Sequence, residues 1–266
     1  MIHILTVHFK SDKWIDLQLK QIDKHITNYK VWSYCDGFDI SSHKHKFHYC
    51  GVWPAGRERG GQSHWKKLNK LSERVIKDTD TKDGDILIWM DSDTLPINNV
   101  NDHISERLST YSLLAVNRLE NAGDVIPHPS FACSTVAFWK KHNLENPKMC
   151  NWGGSFIRSK ASPKRNRFGE PPGTYDNGGS LYFYLLDNNI EWYRMRRTHS
   201  LTDHPVYFTI YDNLVYHHAA GSRKSVNGTR YDKLNGIKNK YNTSEEIFNM
   251  ISKDDFLINE KISIPT

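Results

Sequence analysis

Three Asp-x-Asp pairs occur in this chain, Asp78–Asp80, Asp83–Asp85 and Asp91–Asp93, and their settings tell them apart. The first two lie in a charged stretch, where carboxylates belong to a solvated turn. The third ends the apolar run Ile86-Leu87-Ile88-Trp89-Met90 and is followed by Thr94-Leu95-Pro96. Two carboxylates at the end of a buried strand are costly unless something positive neutralises them. A divalent cation carrying a diphosphate does this, and hard oxygen ligands suit Mn2+ or Mg2+. Asp91 and Asp93 are therefore the expected metal ligands, with Ser92 beside them on the donor side. Two further groups bear on chemistry. The His217-His218 doublet sits on a candidate strand, where neighbours face opposite ways and only one ring reaches the acids. Asp176 precedes the helical stretch Ser180–Leu186, as a helix cap or as a base that takes a proton from an acceptor hydroxyl.

The elements that must position these residues follow from periodicity. Ile2 to Val7 is a short apolar run suited to a buried strand. Beyond Ser11, read as a cap, Ile15, Leu19, Ile22 and Ile26 recur at helical spacing, and Tyr29 to Cys35 reads as a second strand ending in Asp36-Gly37. Strand, helix, strand is the unit of a parallel sheet. Trp65, Leu68, Leu71 and Val75 share one helical face, after which Ile86–Met90 reads as a central strand covered on both sides. Pro96 hinders continuation of the ladder, so the acids stand at the strand's carboxyl end, where open α/β sheets bind ligands. Further strands are expected at Tyr111–Val116, Phe131–Trp139, Trp192–Met195 and Leu214–His217, with a helix at Ser180–Asp187. Residues 150–179, rich in Gly, Pro, Arg and Asn, read as a long functional loop. Asn242 and Glu245 are spaced as a capping pair before a last helix.

Composition bounds the partners. The chain has 266 residues, 38% hydrophobic and 25% charged, enough for one sizeable α/β core. A net charge of +6 points to an anionic partner, and the one basic cluster runs from Arg158 to Arg167. No familiar nucleic-acid-binding motif accompanies it, so nucleic acid is not the expected partner. Mean hydropathy is −0.67 and no apolar run is long enough to span a bilayer. The four cysteines form no C-x-x-C pair. With no secretory signal at the start, a cytoplasmic location is expected.

Taken in order, these motifs resemble the GT-A glycosyltransferases. Ile86 to Pro96 is similar to that family's central strand and Asp-x-Asp. Lys67-Leu68-Asn69, on the preceding helix, resembles a Lys-x-x-x-Leu-Asn region, and Asp36 stands where the family places an acid against the nucleobase. His218-Ala219-Ala220-Gly221 resembles the His-x-x-Gly whose histidine completes the metal site, which selects His218 over His217. Two features depart from the pattern. Ser222-Arg223-Lys224-Ser225 replaces the Lys-Pro-Trp that often follows, and Tyr175-Asp176-Asn177-Gly178 stands in place of the usual acid pair.

The resemblance implies a mostly parallel central sheet flanked by helices, in one α/β domain with a C-terminal helical tail. Residues 1–225 would form the catalytic domain, 1–100 its donor half and 101–225 its acceptor half, with 226–266 as the tail. It implies transfer of a sugar from a nucleotide-sugar, a UDP-sugar by expectation, to a glycan or other hydroxyl acceptor. A lipid-linked acceptor and peripheral membrane contact fit the basic charge. Thr6, Asp36, Lys67, Asn69, Asp91, Ser92, Asp93 and Gly221 are the expected donor residues. Trp152, Arg165 and Arg167 are expected on the acceptor side and Asp176 as catalytic base. Asp91, Asp93 and His218 make the expected metal set. Two other functions compete: a sugar-phosphate nucleotidyltransferase, whose Gly-rich loop is missing from His8-Phe9-Lys10-Ser11-Asp12, and a non-catalytic carbohydrate-binding module of the same fold.

Overall fold

The computed structural model describes residues 1–53, 61–117, 126–154, 177–200, 208–219, 224–225, 228–229 and 244–253. Strand β1 (Ile2–Phe9), helix α1 (Ile15–His25) and strand β2 (Tyr29–Asp36) form the expected first unit, and β1 and β2 pair in parallel from Ile2↔Tyr29 to Phe9↔Asp36. Its helix starts at Ile15 without a side-chain cap; Ser11 instead accepts a hydrogen bond from the backbone of Lys13. A short edge strand β3 (Tyr49–Gly51) follows, then α2 (Gly61–Lys77) and β4 (Ile86–Asp91). Beyond the acids come β5 (Thr94–Pro96), α3 (Val100–Leu108), β6 (Leu113–Asn117), β7 (Pro127–Thr135), α4 (Val136–Glu145) and α5 (Gly179–Asp187). Four short strands follow, β8 (Tyr193–Met195), β9 (Arg197–Ser200), β10 (Thr209–Tyr211) and β11 (Val215–His217), and α6 (Ser244–Ser252) buries Ile247 and Ile251 against Trp14 and Phe208.

The main sheet has the order β3-β2-β1-β4-β7-β6-β8 and is mostly parallel; β7 alone makes antiparallel pairs, with β4 and β6. Helices cover both of its faces. Ile2 and Ile4 of β1 and Ile88 and Met90 of β4 pack with Ile15 and Ile22 of α1 and Ile104 of α3. Leu5, Val7, Leu87 and Trp89, the alternate residues, pack with Leu68, Leu71 and Val75 of α2 and with α4 and α5. This alternation is the strand period of two, read on a sheet buried on both sides.

Chain order leaves β1 toward β2 on one side and returns to β4 on the other. The carboxyl ends of β1 and β4 therefore flank a topological switch point, the place where α/β sheets bind ligands. The main ladder already ends at Asp91, before Pro96 is reached, and Pro96 is instead the last residue of β5, paired with Val215 in a second, antiparallel sheet of order β5-β11-β10-β9.

One expected strand is corrected. Phe131–Trp139 is strand only to Thr135, whose side chain accepts from the backbone of Phe138 and caps α4. The apolar residues Val136 and Trp139 are the buried face of that helix. Among the described residues no helix is long and apolar enough to cross a membrane.

Candidate metal and donor site

Asp91 closes β4, and Ser92 and Asp93 turn the chain into β5. Two neighbours hold that turn by its backbone. The buried side chain of Gln18, on α1, donates to the carbonyls of Asp91 (2.7 Å) and Thr94 (3.0 Å) and accepts from the Thr6 hydroxyl (3.3 Å). The backbone N–H of His218 donates to the carbonyl of Asp93 at 3.0 Å. Pairing of β11 with β5 sets His217 opposite Thr94 and so brings its ring to the acids.

Nε2 of His217 lies 3.4 Å from Oδ2 of Asp91 and 3.5 Å from Oδ1 of Asp93. The ligand atoms of Asp91, Asp93 and His217 all fall within 4.8 Å of one another. The imidazole at the carboxylates is thus His217, where His218 was expected. His218 is buried elsewhere: its Nδ1 lies 2.8 Å from the Tyr216 hydroxyl, and its ring packs on Trp14 and Phe208. The reason is the period of the strand, which turns consecutive side chains to opposite faces.

The spacing suits a small divalent ion. Contacts of 3.4–3.5 Å are long for a charge-assisted hydrogen bond. Ligands each about 2.0–2.2 Å from one ion stand about 3.0–3.5 Å apart in octahedral or tetrahedral coordination. Two carboxylates and one imidazole form a donor set that accepts Mn2+ readily and Mg2+ less so. Among the described residues, Oδ1 of Asp91 and Nδ1 of His217 are buried without a hydrogen-bond partner.

Electrostatics keeps the acids charged. Burial disfavours ionised Asp91, but the hydrogen bond from His217 and the charges of His64, His217 and His128 outweigh it. Its carboxyl is held far below the usual range. Burial opposes ionisation of Asp93 too, and His217 again prevails and lowers its pKa. For His217 burial favours the neutral ring, yet both carboxylates raise its pKa.

Other expected donor residues come together differently. Lys67 and Asp36 form a buried ion pair at 2.5 Å, and the other Asp36 oxygen accepts from the backbone of Trp53 at 2.6 Å. Both oxygens of Asp36 are thus engaged within the protein. Beside them Phe9, at the end of β1, is 52% exposed with Lys67 Nζ 5.5 Å from its ring centre. Thr6 is fully buried and acts through Gln18. Asn69 accepts from the backbone of Trp152 at 3.2 Å, tying α2 to the segment after α4. Ser92 is half-buried in the turn. Trp152 is a core residue with no surface left for a sugar, stacked on Trp139 at 5.7 Å and edge-on to Trp89 at 5.1 Å. Asp176, Arg165, Arg167 and Gly221 lie outside the described residues.

Sequence reading missed three groups. Gln18 is one. His64, at the start of α2, places Nε2 3.2 Å from Oδ1 of Asp91. His128, on β7, lies with its ring centre 6.4 Å from that of His217. A signal for His64 was present: His64, Leu68, Leu71 and Val75 share a helical face, so a polar side chain extends an apolar stripe.

No protein-family model matches the chain, and no curated protein matches it. Solved glycosyltransferases do resemble it. The glycosyltransferase GlyE of Streptococcus pneumoniae TIGR4 has 10% identity and a TM-score of 0.43, over 74% of this chain and 46% of that one. TarS of S. aureus has 12% identity and a TM-score of 0.39, over 53% and 29%. Galactosyltransferase LgtC, solved with donor and acceptor sugar analogues, has 13% identity and a TM-score of 0.40, over 56% and 62%. These neighbours are GT-A glycosyltransferases, the family whose motifs the sequence resembles. The chain spans less than half the length of the first two. Likeness this distant carries no argument about chemistry, which rests on the side chains above.

Proposed function

We propose that the chain is a metal-assisted glycosyltransferase, moving a sugar from a nucleotide-sugar donor to a hydroxyl acceptor. The observation that carries this reading is the convergence of Asp91, Asp93 and His217 at the switch point of the sheet. In this reading Asp91, Asp93 and His217 hold Mn2+ or Mg2+, which when bound neutralises charge on the diphosphate leaving group. The chain's own residues supply the rest. Gln18 and the His218 backbone keep the two acids in place. The exposed ring of Phe9 and the Lys67–Asp36 pair line the donor end of β1 and β2. Asp176 remains the proposed base for the acceptor hydroxyl, because its neighbour Asn177 reaches His64, which touches Asp91. Arg165 and Arg167 are assigned to an anionic acceptor.

Calorimetry with UDP tests the reading. Wild type should bind UDP more tightly with Mn2+ than without, and Asp93→Asn should lose that increment while its melting temperature in the absence of metal stays near wild type. Equal metal-dependent affinity in Asp93→Asn refutes the assignment.

A further inference from the structure

The small sheet that carries His217 has two faces. On one, Thr94, His217 and Thr209 form a row across β5, β11 and β10, and from this row the His217 ring reaches the acids. The next row, Leu95, Tyr216 and Ile210, faces the other way. All three of its residues are buried in an apolar cluster separate from the two that cover the main sheet. Whatever packs on this outer row therefore backs the row that presents His217.

The element in that place is α6. Ile247 and Ile251, one helical turn apart, are 0% and 1% exposed and lie in the same cluster as Leu95, Tyr216 and Ile210. Strands β5, β10 and β11 have three residues each, and a sheet of such short strands depends on what packs against its faces.

The helix reaches the acid-bearing turn by a second route, through Trp14. Phe248 stands edge-on to the Trp14 ring at 4.8 Å, and the same ring meets that of His218 at 4.8 Å. His218 in turn holds the carbonyl of Asp93 by its N–H. Trp14 also immediately precedes α1, whose Gln18 holds the carbonyls of Asp91 and Thr94. Lys13 donates to Glu245 of α6 at 2.5 Å and lies over the Phe248 ring at 3.9 Å. Glu245 is largely exposed, so this ion pair adds little and the apolar contacts carry the docking.

We propose that α6 is a positioning element of the metal site: it braces the outer face of the small sheet and the start of α1, and so keeps His217 at the acid-bearing turn. The inference rests on the reading that Asp91, Asp93 and His217 ligate a divalent ion. It makes the C-terminal helix, expected as a tail beyond the catalytic domain, part of that site's support.

The test is Mn2+ affinity of the full chain without nucleotide, read from the electron paramagnetic resonance signal of free Mn2+, alongside urea melts in metal-free buffer. Ile251→Ala should lower the affinity by about 3- to 30-fold, the span over which packed contacts modulate a distant site. Ile251→Leu keeps the bulk and should stay within about twofold of wild type. Leu113→Ala is the control: it empties a fully buried position at the start of β6, in another cluster. It should cost comparable stability and leave the affinity within about twofold of wild type. Phe248→Ala trims a partly buried ring, should lower the affinity in the same direction, and carries the test if Ile251→Ala does not fold. Wild-type affinity in both α6 variants, with melts that show weaker packing, overturns the inference and leaves the metal site standing. An equal loss in Leu113→Ala also overturns it, since general loosening then explains the effect. A wild type that binds no Mn2+ removes the metal reading, and this inference with it.

Discussion

Replacing Gln18 by Leu should loosen the acid-bearing turn, and the structure supplies the size of the effect. The Gln18 side chain is fully buried and makes three hydrogen bonds, two of them to carbonyls that flank the Asp-Ser-Asp turn. Leucine has similar bulk and no donor. The Thr94 carbonyl is buried and would lose this partner, at about 1–3 kcal/mol; the Asp91 carbonyl is partly exposed and can turn to water, so about 1 kcal/mol serves for it. Loss of the longer Thr6 bond adds at most about 1 kcal/mol. The total is about 2–5 kcal/mol, a large part of the about 5–15 kcal/mol typical of a domain, yet short of unfolding most domains at room temperature.

Urea denaturation followed by circular dichroism measures this loss, and Thr6→Val serves as the control. That variant removes only the 3.3 Å bond and should cost about 1 kcal/mol. Combined with Gln18→Leu it should add almost nothing, because the partner is already gone. Gln18→Leu should also weaken Mn2+ binding, since the two acids lose a tether. A Gln18→Leu protein within about 0.5 kcal/mol of wild type would refute the network as a support for the site.

Two further outcomes follow from buried or crowded positions. Burial pushes the His8 imidazole from 6.5 down to about 3, and its two nitrogens have no hydrogen-bond partner among the described residues. The folded chain thus holds His8 neutral while the unfolded chain protonates it, so stability is full above 6.5 and falls as pH drops from 6.5 toward 3. His8→Leu should remove up to about 1.4 kcal/mol per pH unit of that slope in pH-dependent urea melts, and parallel curves would contradict it. Gly178→Ala places a methyl against the Pro127 carbonyl at φ +103° and should cost more than about 2 kcal/mol in the same melts. A loss under about 0.5 kcal/mol would show that the contact yields.

Where a residue's surroundings are local, the sequence revealed them. The run Ile86–Met90 is continuous, apolar and followed by two acids, so the central strand and its carboxylates were legible together. The helical faces of α1 and α2 were legible for the same reason, as their stripes need no knowledge of what covers them. Features set by contacts distant in sequence were not legible. Phe131–Trp139 reads as one apolar strand, although Thr135 is a good cap and α4 begins after it. Trp152 beside Gly153-Gly154 looked like a loop aromatic, yet it fills the core between Trp89 and Trp139. Gly178, one of several glycines in a stretch that reads as loop, is an anchor because the carbonyl of Pro127, far off in sequence, packs on it. Gln18 interrupts the buried face of α1 between Ile15 and Ile22, a signal visible in the sequence whose meaning came only from the turn above it.

The histidine doublet shows how tertiary register decides between chemically equal neighbours. Spacing to a following glycine favoured His218, because a linear motif counts residues and takes no account of the sheet. Pairing of β11 with β5 counts differently: it sets Tyr216 opposite Leu95 and His217 opposite Thr94. That puts His217 beside a strand that starts one residue after Asp93, so the ligand from the second sheet and the acids from the first arrive in one place. His218 follows the last paired residue and serves the same turn by other means. Its N–H holds the carbonyl of Asp93, while its ring fills a buried pocket with Trp14, Phe208 and the Tyr216 hydroxyl. A slip of one residue in that pairing would set Tyr216 or His218 opposite Thr94 and take His217 from its place at the acids. The antiparallel ladder of β5, β11 and β10 is therefore part of the candidate metal site, as much as the carboxylates it serves.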